Sequence, residues 1–326
     1  MRAVGLLAAL GVLVLVSLAS VAVGAKPIPI AAVWDGLFDS TGGEHGVLIR
    51  EVRIPRTLLG LIVGVALGLA GAVMQALTRN PLAEPGLLGV NAGASAAVVS
   101  AISFLGVTSF TGYVWFAFVG AAVVSVIVYI LGGSRSATPV RLALAGTAAT
   151  AALYGYVNAV QLLDSAALDR LRFWTVGSLA SADMSIIGKV LPFIGLGALL
   201  ALGLARSLNA MELGDDTARS LGAHLGRTRA IAMLSVTLLC GAATAACGPI
   251  IFVGLMIPHL VRAITGPDMR WVLPYAAVLA PVLLLGADVI GRVVTRPGEL
   301  QVGIVTAVIG GPVFIQLVRR KKLAQL

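Results

Sequence analysis

Apolar residues run through this chain in stretches longer than the helices of a soluble core need. A helix requires about 20 predominantly apolar residues to cross a hydrocarbon layer about 30 Å thick, and ten segments reach or approach that length. Seven are clear, over residues 3–24, 57–77, 113–131, 141–163, 186–205, 230–246 and 273–291. Three are shorter, over 89–105, 250–264 and 303–318, as expected of helices that start inside protein. The pattern predicts an all-α integral membrane protein of about ten transmembrane helices. For the first segment a cleavable leader is the alternative, since Arg2 precedes it and Ala22, Gly24 and Ala25 end it. Its apolar run exceeds the roughly 7–15 residues of a leader core, which favours a span.

Composition strengthens this picture. Of 326 residues, 59% are hydrophobic and 11% charged, whereas soluble domains carry about 25% charge. With the N-terminus inside, most of the 23 Lys and Arg residues fall in inner loops, which puts both termini in the cytoplasm. The net charge of +9 is dispersed among loops, so it reads as a topology signal and implies no nucleic-acid partner. Cys240 and Cys247 lie on one predicted helix, about 10.5 Å apart along its axis. That is too far for a disulfide, and both read as small core residues.

No linker or soluble domain interrupts the spans, so residues 1–326 form one domain. Two loops are long, an outer one over 26–56 and an inner one over 206–229. The inner loop contains a polar stretch in which Leu213, Ala218 and Leu221 are expected to line one face of a short helix starting near Asp215. An internal echo links Gly71-Ala-Val-Met-Gln-Ala-Leu, a Pro/Gly-broken stretch and a short span with Gly241-Ala-Ala-Thr-Ala-Ala-Cys, Gly248-Pro249 and another short span. Entered from opposite sides, the two copies would form an inverted repeat, and broken spans at matching positions point to a transport pathway. Gly60, Gly64 and Gly68 recur every fourth residue, which suits close helix packing.

Few residues suggest chemistry. Pro81, Pro85 and Gly86 block a continuous helix and leave backbone groups in need of partners. Glu84 is expected to accept from nearby backbone N–H groups or to pair with Arg79. Asp288 and Arg292 stand four apart on one helix and read as an ion pair. His45, His224 and His259 show no metal-ligand spacing, and no metal or other cofactor is expected.

The motifs Arg53-Ile-Pro-Arg-Thr, Asn80-Pro-Leu-Ala-Glu-Pro-Gly-Leu-Leu-Gly, Gly254-Leu-Met-Ile-Pro-His-Leu-Val-Arg and Gly298-Glu-Leu-Gln-Val-Gly, ending in Gly311-Pro-Val-Phe, occur in this order. In order and spacing they resemble the FecCD/BtuC-type permease subunits of bacterial ABC importers for iron-siderophores, haem and vitamin B12. The resemblance implies a type II importer permease fold in the bacterial cell membrane and a homodimer or heterodimer of permeases around one pathway. It also implies two cytoplasmic ATPase subunits and an extracytoplasmic substrate-binding protein. Carried over residue by residue, it makes about 207–227 a coupling segment for the ATPase, with Leu213, Gly214, Asp215, Ala218, Leu221 and Gly222 at the contact. It makes Asn80, Pro81, Glu84, Pro85 and Gly86 a gate or hinge, and Arg53, Arg56 and Arg292 docking cations for glutamates of the binding protein. Arg296, nearby, has no assured equivalent.

Tyr154, Tyr156, Asn158 and Gln161 are candidate pathway-lining residues, since polar and aromatic groups suit a bulky chelate. Ferric siderophore is the favoured cargo over haem and cobalamin. The chain lacks a Gly-x-x-x-x-Gly-Lys-Ser/Thr loop, so ATP hydrolysis falls to another subunit. A gradient-driven secondary transporter is the alternative that inverted repeats alone would also serve. A membrane-embedded enzyme lacks a credible catalytic constellation.

Overall fold

The computed structural model describes residues 2–29, 33–34, 43–107, 109–133, 139–220, 222 and 224–319, and no strand occurs among them. The first helix is α1 (Arg2–Ala22), and two helical segments over 43–53 run without interruption into α2 (Ile54–Thr78). After a break come α3 (Val90–Leu105), α4 (Phe110–Leu131), α5 (Pro139–Leu163) and the short α6 (Ser165–Trp174). Then follow α7 (Met184–Gly203), α8 (Ala205–Glu212), α9 (Asp215–Ser220) and α10 (Leu225–Cys247). A second break precedes α11 (Val253–Thr265), and α12 (Met269–Val294) and α13 (Val302–Arg319) complete the chain.

Six of the described helices are long and apolar enough to cross a membrane, and three more are apolar but shorter. Those three begin at Val90, Val253 and Val302, where the sequence placed its short spans. Polar residues mark several helix starts: Ser109 accepts from Gly112 N, Asp183 from Ser185 N and Asp268 from Arg270 N. Each side chain satisfies an amide that lacks an intrahelical partner. Helical structure over 43–53, within the expected outer loop, and in α6 and α8 was not expected. The 206–229 stretch therefore contains α8, α9 and the start of α10 rather than one short helix in a loop.

Contacts between helix ends fix the directions. Tyr275 near the start of α12 donates to the Arg2 carbonyl, and Arg79 at the end of α2 pairs with Asp215. These residues lie at what we term the proximal end. At the distal end, Arg53 and Arg292 meet the last carbonyls of α1. Helix α2 thus runs from distal to proximal and α10 from proximal to distal. Each is followed by a break and a short helix that turns back, so the two modules run in opposite senses, as an inverted repeat requires.

The interior is built from small residues and the outside from large ones. Along α2, Gly60 faces Leu285, Gly64 faces Pro281 and Gly68 faces Ala276 and Ala280, so the four-residue glycine spacing is a packing seam against α12. Gly71 continues it against the backbone of Gly254 in α11. By contrast, α1 turns Leu7, Val14, Leu15 and Leu18 outward, and α4 exposes Val119, Val126 and Ile130. Cys240 and Cys247 are free, buried core residues.

A Cβ at Gly71 would overlap the Gly254 carbonyl, whereas one at Gly188 in α7 meets nothing within 4 Å. Gly71→Ala should therefore lower stability by about 1–3 kcal/mol through overpacking. Gly188→Ala should be neutral or raise it by up to about 1 kcal/mol, the helix-propensity difference. Thermal unfolding in detergent distinguishes the two, and equal midpoints would remove Gly71 from the helix crossing.

Candidate functional site

At the distal end, Arg56 extends from the first turn of α2 to two acids. Its Nε donates to both Asp288 oxygens at 3.2 and 3.0 Å, its Nη2 to Oδ1 at 2.8 Å and its Nη1 to Glu299 Oε2 at 2.7 Å. Arg292 pairs with Asp288 Oδ2 at 2.9 Å, the four-residue ion pair that the sequence suggested. It also donates to the carbonyls of Ser20 and Val23 at 2.9 and 3.0 Å. Arg53 donates to Val21, Ala22 and Lys26 carbonyls at 2.9, 2.6 and 2.6 Å, and Arg296 to the Gly24 carbonyl at 2.8 Å. A helix ends with carbonyls that lack intrahelical donors and with the negative end of its dipole. Arg53 and Arg292 satisfy that end of α1, and Arg296 meets Gly24 just beyond it.

Arg53, Arg56 and Arg292 are the residues expected as docking cations. Arg53, Arg56 and Arg292 are only 4, 5 and 2% exposed, and their donors point inward. Their position at outer helix ends was legible, but the α1 carbonyls that Arg53 and Arg292 meet, and the Asp288 carboxylate that Arg56 meets, lie far away in sequence. Of the cluster's arginines, Arg296 alone is exposed.

The two breaks meet inside the bundle. Arg79 ends α2 with φ 49° and ψ 35°, and Asn80 Oδ1 then accepts from Leu82 N at 2.9 Å to hold the following turn. Pro85 opens a single helical turn to Leu88, and Gly89 (φ 71°) leads into α3. In the second break Phe252 has φ 70° and ψ −27° before α11 begins. Arg79 and Phe252 are the non-glycine residues with positive φ among the described residues, one in each break. Such a conformation costs on the order of 1 kcal/mol or more and persists where surroundings over-determine it. Glu84 Oε1 accepts from Phe252 N at 2.9 Å, which fulfils the backbone alternative and not the Arg79 one. A carboxylate at the start of α11 also suits the positive end of that helix. Nearby, Thr244 donates to Asn91 Oδ1 at 3.0 Å, and Gln75 donates to the Leu255 carbonyl at 3.0 Å.

At the proximal end the helix face expected of Leu213, Ala218 and Leu221 divides. Ala218 is fully buried while Leu213 is 64% exposed, so they do not share a face. The reason is Gly214 (φ +106°), which ends α8 and separates Leu213 from α9. Leu221 lies outside the described residues, and Gly222 (φ +80°) is exposed with open space around it. Asp215 turns inward and accepts from Arg79 and, at 2.7 Å, from Arg229. Partial burial raises the pKa of this carboxyl, but the two arginine hydrogen bonds outweigh it and hold the group below its ordinary range. Outward stand Leu213, Asp216, Thr217, Arg219 and Ser220.

Gln75, Arg79, Asn80, Pro81, Glu212 and Arg262 line a cavity of about 60 Å³ beside this segment. Arg262 donates to Gln75 Oε1. Burial pushes the Glu212 carboxyl above its ordinary value, opposed by the charge of Arg262. Nothing local to Glu212 or Arg262 in the sequence marks them as partners of Gln75 or of this cavity. A polar residue within the apolar Gly71–Leu77 run was the available signal, because a buried amide must find partners.

On α5, Tyr156 shares a 2.6 Å hydrogen bond with Ser100, and Tyr154 interacts with Ser95, both on α3. Tyr154 and Asn158 are exposed and Gln161 is partly so. These three share a helix face by spacing, while Tyr156 stands off it.

Residues 12–320 match the FecCD transport family. The chain is 46% identical over 322 residues to the ferric enterobactin transport system permease protein FepD of Escherichia coli, covering 98% of this chain and 96% of that one. It is 36% identical over 315 residues to the hemin transport system permease protein HmuU of Yersinia pestis, covering 95 and 93%. A solved structure described as an inward-facing metal-chelate type ABC transporter superposes with a TM-score of 0.85 at 25% identity, covering 98% of this chain and 100% of that one.

The distal cluster yields a prediction. Removing Asp288 leaves Arg56 and Arg292 buried without their carboxylate, which typically costs about 3–5 kcal/mol. Glu299 is 34% exposed, and losing its bond should cost no more than about 1 kcal/mol. Asp288→Ala should thus unfold at much lower denaturant than Glu299→Gln in detergent micelles. Similar midpoints would show that Asp288 does not hold the cluster.

Proposed function

The chain belongs to the FecCD transport family and is a multi-pass membrane permease subunit of an ABC importer; from that premise we propose that its cargo is a ferric siderophore. The observation that carries this reading is the extended identity to the ferric enterobactin permease. Tyr154, Asn158 and Gln161 support it, as an accessible neutral face that can hydrogen-bond a large chelate.

The assembly reading has the proximal end in the cytoplasm of a bacterial cell membrane, both termini included, as the bias of Lys and Arg favours. A separate ATPase meets the exposed residues around α9. With no phosphate-binding loop of its own, the permease needs that subunit for ATP-driven work. A second permease copy or a similar permease completes the pathway, and an extracytoplasmic binding protein delivers cargo at the distal end. Asn80, Pro81, Glu84, Pro85 and Gly86 form a hinge whose Glu84 carboxylate ties the first break to the start of α11.

Reconstitution with the ATPase and binding protein in proteoliposomes tests the cargo. Vanadate-sensitive accumulation of a ferric catecholate siderophore, at least about tenfold above haem or cobalamin, is expected. Preferential haem or cobalamin uptake would replace the cargo assignment. Uptake driven by a proton or sodium gradient without ATP would contradict the importer reading.

A further inference from the structure

The Asp215 carboxylate bridges two cations of different origin. One oxygen accepts from Arg79, which caps the end of α2 and opens the first break, and the other accepts from Arg229 in the first turns of α10. Arg79 occupies a left-handed conformation that an arginine adopts only when held there, and its side chain is held by Asp215. Asn80 and Pro81 follow it directly and line the same small cavity as Glu212 and Arg262. On the other side of Asp215, α9 presents Asp216, Thr217, Arg219 and Ser220 outward, while Ala218 anchors it inward. A push on the outer face of α9 therefore has a short polar route to the first break, through one carboxylate and one guanidinium.

We infer that Asp215 is a positioning residue that transmits movement of α9 to the Asn80–Gly89 break through Arg79, and so couples ATP hydrolysis on the partner to gating. This rests on the reading of α9 as the ATPase contact. The bond is suited to the task. Its members are about one-third exposed, at 32 and 31%, so water can enter and the pair can break and re-form within a cycle. A fully buried ion pair would resist such motion. Arg229 has a different part, since it holds α9 to α10 without touching the break.

The test measures uptake, ATP hydrolysis and ATPase co-purification for the reconstituted importer. Asp215→Asn and Arg79→Gln should each lower uptake about tenfold or more, the scale of a lost charge-assisted hydrogen bond. Hydrolysis and co-purification should persist, so that ATP consumed per molecule imported rises. The double variant should be no worse than either single one, because both remove one interaction. Asp215→Glu should recover most of the uptake, and Arg229→Gln, which leaves the Arg79 bond in place, should keep it. Undiminished uptake in Asp215→Asn, additive losses in the double variant, or an equal loss in Arg229→Gln would overturn the inference. Loss of the ATPase from Asp215→Asn would overturn it as well, by making Asp215 a docking residue. If the unmodified permease fails to co-purify with the ATPase, the α9 contact itself is wrong, a result distinct from all of these.

Discussion

A backbone N–H or C=O that leaves a helix within a membrane must find another polar partner, because hydrocarbon supplies none. Two interruptions of helical pairing, over 79–89 and 248–252, meet inside the bundle, and much of the architecture follows from how they are satisfied. Glu84 of the first break meets Phe252 N of the second, Gln75 meets the Leu255 carbonyl, and Cys247 O accepts from Ser178 N. Each break therefore depends on elements outside itself. The close Gly71–Gly254 crossing brings α2 and α11 near enough for the bonds to form. Small residues in the centre are thus a condition of the polar contacts as well as of packing.

The two ends of the molecule use arginine differently. At the distal end the guanidiniums are buried, paired with Asp288 and fixed on the carbonyls that end α1, which makes a rigid clasp. At the proximal end the Arg79–Asp215 pair is partly solvated. The bonds have similar chemistry, but solvent access separates a clasp from a joint. A permease that moves one end relative to the other needs both kinds.

Much of the helix pattern was legible because hydropathy is a property of the sequence taken one window at a time. The short spans expected over 89–105, 250–264 and 303–318 correspond to Val90–Leu105, Val253–Thr265 and Val302–Arg319. The glycine seam of α2 and the Asp288–Arg292 pair were legible for the same reason, since helical spacing fixes which residues share a face. Partners distant in sequence were not. The burial of Arg53, Arg56 and Arg292 was not legible, because the end of α1 that holds the first and last, and the Asp288 and Glu299 that hold Arg56, lie far along the chain from them. Leu213 and Ala218 looked like one face until Gly214 proved to break the helix between them. The residues that tie α2 to α11 beside the breaks, Gln75 and Arg262, are single polar letters whose meaning depends on the opposite half of the chain.

The central claim, that one break is closed by the other, is tested most directly by amide hydrogen exchange over residues 249–256 in lipid nanodiscs, comparing the unaltered chain with Glu84→Ala. If the Glu84 carboxylate satisfies Phe252 N, the unaltered chain protects this segment and the variant loses protection there by at least about tenfold, while the middle of α10 exchanges equally slowly in both. Equal protection of 249–256 in the two proteins would contradict the account.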